Sequence, residues 1–168
     1  MTDFRIGNGI DVHRLVSGRR LFLCGVEIPF ELGLEGHSDA DVALHALADA
    51  LLGAVAYGDI GKHFPDTDPR YLGADSFELL RQVWALEVFS PWEIGNIDLT
   101  IVAQKPKIAP FVPKMRERVA SAFGIDVALV SIKGTTTEKL GFTGRGEGIA
   151  AFCTVLLKTK DLVMSQIL

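Results

Sequence analysis

Cysteine is scarce in this sequence, and an excess of positive charge is absent. Cys24 and Cys153 are the 2 cysteines, so at most one disulfide can form and a disulfide framework is excluded. Both lie in apolar runs, so we expect buried free thiols in a protein of the reducing cytoplasm. The 17 lysine and arginine residues against 21 aspartate and glutamate residues give a net charge of −4. This acidic balance argues against a nucleic-acid partner, because proteins that bind nucleic acids present a basic surface.

Long apolar runs are also missing. The longest uncharged apolar stretch, 149–157, is too short to cross a bilayer, and the first residues lack the basic and apolar regions of a signal peptide. We therefore expect no membrane association. The 168 residues are 48% hydrophobic and 23% charged, which is typical of a single globular domain. We expect this domain at 1–160 and a C-terminal tail at 161–168.

Apolar residues alternate in some segments, as in strands, and recur every three to four residues in others, as in helices. Together these patterns predict an α+β fold, with helices packed on one face of a mixed β-sheet. In the first strand, from Phe4 to His13, Ile6, Ile10 and Val12 are expected to face the core. Further strands are predicted as a hairpin or bent strand pair at 20–30 and as single strands at 97–103, 129–135 and 149–158.

Three helices are predicted from capping residues and apolar stripes. The first opens at a capping box, Ser38 to Asp41, and ends near Gly58. The second runs from Asp75 to about 89, and the third begins near Pro110 and stops at Gly124. These helices would cover one face of the sheet.

Asp11 and His13 are two residues apart on the first predicted strand, so their side chains leave the same face. A carboxylate and an imidazole placed together can chelate a divalent ion, although an ordinary half-exposed polar face has the same pattern. On the first helix, Asp41, His45 and Asp49 form one polar stripe on an otherwise apolar surface. Such a stripe is either a His–Asp pair satisfied in the core or a ligand site.

In the ligand interpretation, His45 binds a metal ion, and Asp49 or Asp41 orients its other ring nitrogen. Asp11, His13 and His45 would then leave a fourth tetrahedral position open, which is the pattern of catalytic zinc sites.

The segment from Lys133 to Glu138 follows a β-rich run and has three successive threonines. Its hydroxyls and amides can hold phosphate oxygens, and Glu138 can hold a hard cation such as magnesium. A solvated strand-to-loop junction is the alternative. Arg145, in a glycine-rich stretch, can clamp a phosphate, and His37 is either a solvent-exposed loop residue or a phosphate donor. The loop at 58–68 is interpreted as a charged surface loop.

These features indicate a metal-assisted enzyme that acts on a phosphorylated small molecule. Three classes of function remain at this level: phosphoryl transfer within or from a diphosphate, metal-dependent hydrolysis of a small diphosphate, and a non-catalytic trimeric ligand-binding module. The clustered ligand residues disfavour the last class.

Long motifs give the chain a specific resemblance from Arg5 to about Lys158. They are G-I-D-V-H at 9–13, H-S-D-A-D-V-A-L-H at 37–45, G-D-I-G at 58–61, F-P-D-T-D at 64–68, A-Q-K-P-K at 103–107 and T-T-T-E-K-L-G-F-T-G-R-G-E-G at 135–148. In this order they resemble the 2-C-methyl-D-erythritol 2,4-cyclodiphosphate synthases of the non-mevalonate isoprenoid pathway.

The resemblance implies a phosphorus–oxygen lyase that acts as a homotrimer, with active sites between adjacent subunits. The substrate would be 4-diphosphocytidyl-2-C-methyl-D-erythritol 2-phosphate, whose 2-phosphate attacks the β-phosphorus and expels CMP. By resemblance, Asp11, His13 and His45 bind Zn²⁺, and Glu138 contacts a second cation, Mg²⁺ or Mn²⁺. His37 and Thr136 match positions that steady the transition state.

The resemblance also implies three groups of binding residues. The methylerythritol phosphate would contact Ser38, Asp59, Ile60, Gly61, Phe64, Pro65, Asp66, Thr67 and Asp68. The cytidine and diphosphate pocket of a neighbouring chain would contain Ala103, Gln104, Lys105, Pro106, Lys107, Ile108, Ala109, Thr135 and Thr137. Near the trimer axis, where some members bind an isoprenoid diphosphate, would lie Phe142, Arg145 and Glu147.

Overall fold

The computed structural model describes residues 3–65 and 67–160. The expected substrate contact at Asp66 and the expected tail at 161–168 lie outside the described residues. Within them, no helix is long and apolar enough to span a membrane. Cys24 and Cys153 are buried free thiols, as their apolar surroundings predicted.

A five-stranded mixed sheet forms the centre of the fold, with the strand order β4-β1-β7-β5-β6. β5 and β6 are parallel, and the other neighbours in this sheet are antiparallel. β2 and β3 form a separate hairpin, which confirms the prediction for 20–30. The strands are β1 (Phe4–Ser17), β2 (Leu21–Leu23), β3 (Val26–Ile28), β4 (Leu32–Leu34), β5 (Trp92–Val102), β6 (Val130–Thr135) and β7 (Gly148–Thr159).

Three longer helices pack together on one face of this sheet, as predicted. The first contacts β1 and β7, and the last contacts β6 and connects the parallel pair β5 and β6. The helices are α1 (Val42–Ala54), α2 (Ile60–His63), α3 (Ser76–Trp84), α4 (Val112–Phe123) and α5 (Gly141–Gly144). The result is a single-domain α+β fold.

The helix ends follow their capping residues. The side chain of Asp41 accepts hydrogen bonds from the N–H groups of Ala43 and Leu44, so α1 begins three residues later than a Ser38 cap would place it. Asp75 caps α3 as predicted, and Gly124 ends α4 in the left-handed region with φ 64°. Gly124 tolerates this conformation because it has no Cβ atom.

Two glycines let α1 lie directly on the backbone of β1. A Cβ atom added to Gly7 would lie 1.8 Å from the carbonyl oxygen of Ala50, and one added to Gly9 would lie 2.0 Å from that of Ala46. Real side chains cannot approach a backbone oxygen so closely. The close approach places the polar positions of α1 next to Asp11 and His13.

The expectation that Ile6, Ile10 and Val12 face the core is wrong. Their relative exposures are 72%, 54% and 48%, because the core side of β1 is formed by Gly7, Gly9 and the two polar residues after them. The exposed side chains form an outer apolar face on the side of the sheet opposite the helices. It consists of Phe4, Ile6, Ile10, Val12 and Phe152.

Candidate active site

Asp11 and His13 project from β1 towards α1, where His45 meets them. Oδ2 of Asp11 lies 2.9 Å from Nε2 of His13 and 3.0 Å from Nδ1 of His45. The two ring nitrogens are 3.1 Å apart. Among the described residues, these three are the one group of histidine, cysteine and acidic side chains arranged to hold a metal ion. The structure therefore brings together the three side chains that the metal-site hypothesis requires.

The other nitrogen of each imidazole has a protein partner. Nδ1 of His13 lies 2.7 Å from the carbonyl oxygen of Glu35. Because a carbonyl oxygen can only accept a hydrogen bond, Nδ1 is the donor in this contact. Nε2 of His45 lies 3.0 Å from Oγ of Ser76 and 3.3 Å from Oγ of Ser38. These contacts direct Nε2 of His13 and Nδ1 of His45 towards Asp11, as expected for histidines that bind a metal ion.

The expectation that Asp41 or Asp49 orients His45 is wrong, because neither carboxylate has a hydrogen bond to that ring. The fully buried Asp41 caps α1 and also accepts hydrogen bonds from the N–H groups of Cys24 and Gly25, 3.0 Å and 2.7 Å away. Asp49 accepts a hydrogen bond from the N–H of Ile60 at 2.7 Å. The two aspartates therefore fasten the hairpin turn and α2 to α1.

The electrostatics of the cluster favour a charged carboxylate. Burial opposes the charge of Asp11, but its hydrogen bonds to His13 and His45 outweigh burial and hold the pKa of Asp11 well below its usual range. Burial also opposes the charge of His13, yet the contact with Asp11 raises the pKa of His13 above its ordinary value. Asp11 is therefore anionic at neutral pH, and a metal ion bound beside it would displace a proton from His13.

A cavity of about 400 Å³ opens beside this cluster. His37 lines it, with Nε2 3.3 Å from the carbonyl oxygen of Asp68. The loop after α1 also faces the cavity, so the interpretation of 58–68 as a charged surface loop was incomplete. The lining residues are His13, Gly36, His37, Ser38, His45, Ile60, Gly61, Phe64, Pro65, Tyr71 and Leu79.

The sequence did not identify Gly36, Tyr71 or Leu79 as part of this cavity. Tyr71 packs edge-on against Phe64 with their ring centroids 5.2 Å apart. An apolar wall of this kind has no spacing signal, because its members come from separate turns and helices.

Three expected contacts of the same loop do not line the cavity. Asp59 caps α2 by accepting a hydrogen bond from the N–H of Lys62 at 2.9 Å. Asp68 pairs with Arg70 through Oδ2 and Nη2 at 2.6 Å, and Thr67 is exposed. In this structure the carboxylates of Asp59 and Asp68 stabilise the loop.

A second cavity, of about 190 Å³, lies between the segment after β5 and the end of β6. It shares no lining residue with the first cavity, so His37 and Thr136 lie in different cavities of one chain. Gly134 is a member that the sequence did not identify, and a Cβ atom there would lie 3.0 Å from Cβ of Ile108. The lining residues are Ala103, Gln104, Pro106, Lys107, Ile108, Ala109, Gly134, Thr135 and Thr136.

The loop beyond β6 has an unusual backbone. Glu138 and Lys139 both occupy the left-handed region, with φ 52° and 66°, which costs energy for residues with side chains. Oγ1 of Thr136 donates to Oε1 of Glu138 at 3.0 Å, and the N–H of Lys139 donates to Oε1 of Gln104 at 3.2 Å. The exposed Glu138 carboxylate is thus held at the rim of the second cavity.

Phe142, Arg145 and Glu147 line neither cavity. Phe142 is 39% exposed, and Nε of Arg145 lies 2.6 Å from Oε1 of Glu147. Lys105 and Thr137 likewise lie beside the second cavity in the chain without lining it.

The whole folded region matches one known family. The model of the YgbB family covers residues 4–158. The chain belongs to this family. Relatives named 2-C-methyl-D-erythritol 2,4-cyclodiphosphate synthase include those of Geotalea uraniireducens, 62% identical over 93% of this chain and 99% of the relative, and Bacillus subtilis, 61% identical over 92% and 98%.

Solved structures of this family have the same fold. The bifunctional IspDF of Campylobacter jejuni matches with a TM-score of 0.91 and 44% identity, over 96% of this chain and 44% of that chain. The IspF–CDP complex of Plasmodium falciparum matches with a TM-score of 0.82 and 34% identity, over 94% and 97%. The relatives from Geotalea uraniireducens and Bacillus subtilis are named as synthases, so the family includes enzymes.

Proposed function

We propose that the chain converts 4-diphosphocytidyl-2-C-methyl-D-erythritol 2-phosphate into 2-C-methyl-D-erythritol 2,4-cyclodiphosphate and CMP, a step of isoprenoid biosynthesis. The observation that carries this proposal is the Asp11–His13–His45 cluster beside a cavity, in a chain about 60% identical to synthases so named. The alternative, a metal-dependent phosphohydrolase, has no support among these relatives.

In this reaction the nucleophile is the substrate's own 2-phosphate, so the chain needs no covalent residue. An oxygen of the 2-phosphate forms a bond to the β-phosphorus, and the bond from that phosphorus to the α–β bridging oxygen breaks. The chain must fold the substrate so that these atoms align and must exclude water, because hydrolysis competes. We assign this folding to the cavity beside His37 and Ser38, with Ile60, Gly61, Phe64 and Pro65 along its wall.

The donor set of the cluster fits zinc. Two imidazole nitrogens and one carboxylate oxygen lie 2.9–3.1 Å from one another, near the spacing of roughly 3.3 Å between ligands of one tetrahedral zinc ion. Asp11, His13 and His45 would hold the ion and leave one position for a phosphate oxygen. When bound there, zinc supplies Lewis-acid polarisation of the β-phosphate.

Glu138 fits a different kind of cation site. It belongs to no group of three ligands among the described residues, so it can supply only part of a coordination shell. Mg²⁺ and Mn²⁺ suit this arrangement, because magnesium commonly binds one or two carboxylates together with substrate phosphates. Such a cation neutralises charge on the α- and β-phosphates. Thr136, hydrogen-bonded to Glu138, would contact the same phosphates.

A trimer with shared sites explains two features of the single chain. The outer apolar face exposes five large apolar side chains on one side of the sheet, and exposed apolar surface of this kind can mark an interaction surface. The metal cluster and the segment 103–109 belong to different cavities, and a neighbouring chain would join them. The second cavity, with Gln104, Lys107 and Thr135, would bind the cytidine end. Phe142 and Arg145 would lie near the axis, where an isoprenoid diphosphate would bind.

The experiment that tests this function is incubation of the zinc- and magnesium-loaded protein with the named substrate, with the products identified by phosphorus NMR. We expect equimolar CMP and cyclic diphosphate, and no turnover by His45→Ala, which lacks a zinc ligand. His63→Ala is the matched control, because His63 stacks on Tyr57 outside the cluster. Open-chain bisphosphate or inorganic phosphate as the main product would instead support the hydrolase.

A further inference from the structure

Ser76 connects the His45 imidazole to a carboxylate that the mechanism does not use. Ser76 is the first residue of α3 and is 2% exposed. Its Oγ donates a hydrogen bond to Oδ1 of Asp39 and lies 3.0 Å from Nε2 of His45. Its backbone N–H donates to Oδ2 of Asp39 at 3.2 Å, so the carboxylate holds Ser76 at two points.

The number of protons determines the direction of these hydrogen bonds. A serine hydroxyl has one proton, and an ionised carboxylate can only accept. Because Ser76 gives its proton to Asp39, its oxygen must accept the proton of Nε2 of His45. In the neutral imidazole with its proton on Nε2, the lone pair is on Nδ1. Nδ1 is the nitrogen that faces Asp11, at 3.0 Å.

We propose that Asp39 and Ser76 are positioning residues that fix the His45 ring and direct its Nδ1 lone pair to the metal ion. This inference rests on the metal site of the proposed function. Asp39 is well placed for this role, because its Oδ1 also accepts the N–H of Asp41, the cap of the helix that carries His45, at 3.2 Å. One carboxylate therefore holds both the start of α1 and the hydroxyl that contacts His45.

Removal of either member should weaken metal binding without unfolding the protein. Ser76→Ala removes the acceptor for Nε2, and we expect zinc affinity to fall about 10- to 100-fold, as for other partners of ligating histidines. Asp39→Asn keeps the shape but weakens the acceptor, so we expect a smaller loss in the same direction. Ser76→Thr, which keeps the hydroxyl, should restore at least part of the affinity.

Two variants outside the contact of Asp39, Ser76 and His45 are matched controls. Asp75→Asn changes the adjacent carboxylate, which caps α3 through the N–H of Phe77, and asparagine caps helices as well as aspartate does. Ser121→Ala removes an exposed hydroxyl that is bonded to the carbonyl oxygen of Arg118. Both should keep the zinc affinity of the unmodified protein.

The test is chelator competition for zinc, with thermal unfolding of each metal-free variant to confirm folding. If Asp39 acts through Ser76, the double variant should lose no more affinity than Ser76→Ala alone, whereas two independent effects would add. Unchanged zinc affinity in Ser76→Ala, or additive losses, would overturn the inference. Should Ser76→Ala fail to fold, Asp39→Asn against Asp75→Asn decides, and equal affinities reject the proposal. Failure of the unmodified protein to bind zinc would instead reject the metal site itself.

Discussion

At the residue scale, the partners of two imidazoles determine which ring nitrogens face the candidate metal site. The spacing of Asp11 and His13 and the polar position of His45 on an apolar helix led to the hypothesis of a three-residue metal site, and the structure brings these three side chains together. Their partners Glu35 and Ser76 could not be predicted, because a backbone carbonyl and a hydroxyl at the start of a distant helix have no periodic signal. The sequence instead indicated Asp41 and Asp49, whose carboxylates bind backbone N–H groups elsewhere.

The proposed role of Glu138 as a cation ligand can be tested with a single substitution. Glu138→Gln keeps the size of the side chain but removes the charge that favours a hard divalent cation. We expect turnover to fall at least about tenfold at low magnesium, in the range reported for residues that support a metal site, and to recover partly at high magnesium or manganese. Bound zinc should stay constant, because the proposed zinc ligands Asp11, His13 and His45 belong to β1 and α1.

Steady-state rates across a magnesium titration, with zinc measured by elemental analysis, check this expectation. Glu87→Gln is the matched control, since Glu87 is an exposed residue in a short helical turn away from both cavities. Near-normal turnover of Glu138→Gln at low magnesium would place Glu138 on a merely solvated turn.

At the scale of elements, the contact between β1 and α1 carries the site. The strand and the helix were predictable from alternation and helical periodicity, although Asp41 and not Ser38 caps α1. The face of β1 that meets the helix could not be predicted. Glycines such as Gly7 and Gly9 do not count as hydrophobic positions in a periodicity pattern, whereas Ile6, Ile10 and Val12 do, so the pattern favoured the wrong face. A close approach of backbones depends on missing side chains, which a pattern of apolar residues does not register.

Gly9→Ala tests this contact. The new Cβ atom would lie 2.0 Å from the carbonyl oxygen of Ala46, so α1 must move away from β1. We expect a loss of unfolding free energy of about 3 kcal/mol or more, at or above the upper end for overpacked cores. Zinc affinity should fall with it, because His45 moves with α1.

Gly53→Ala is the matched control on the same helix. A Cβ atom there meets only the carbonyl oxygen of Asn8, at 3.8 Å. Alanine should therefore stabilise the helix by up to about 1 kcal/mol. Urea unfolding of both variants measures the difference, and a Gly9→Ala protein as stable as the unmodified one would show that α1 does not depend on this close approach.

At the scale of the whole molecule, the described residues form one cavity beside Asp11, His13 and His45, a second cavity at the end of β6, and the outer apolar face. The sequence predicted the α+β class and the mixed sheet, and the motifs indicated a shared site. Alternation alone could not show which residues of β1 remain exposed. Either face of this strand could have packed against the helices. Only the position of α1 distinguishes them.

Mixing of two inactive chains tests the shared site. His13→Ala removes a proposed metal ligand, and Lys107→Ala alters the second cavity, so each pure assembly should be inactive. After subunit exchange at equal amounts, about a quarter of the sites should combine two intact halves if each site spans two chains of a closed assembly. Turnover should rise to about that fraction, with exchange verified by differently tagged chains. Exchanged assemblies that stay inactive would show that the two residues do not act from different chains.

The identity of the nucleophile is the claim on which the proposed chemistry depends. If the substrate's own phosphate attacks, no water molecule is consumed, and the reaction can be run in water labelled with heavy oxygen. Mass spectrometry should then find no label in CMP or in the cyclic diphosphate, because every bond to phosphorus is formed from substrate oxygen. Labelled CMP, or a labelled open-chain bisphosphate in place of the cyclic diphosphate, beyond the exchange measured without enzyme, would mean that water attacks and that the protein is a hydrolase.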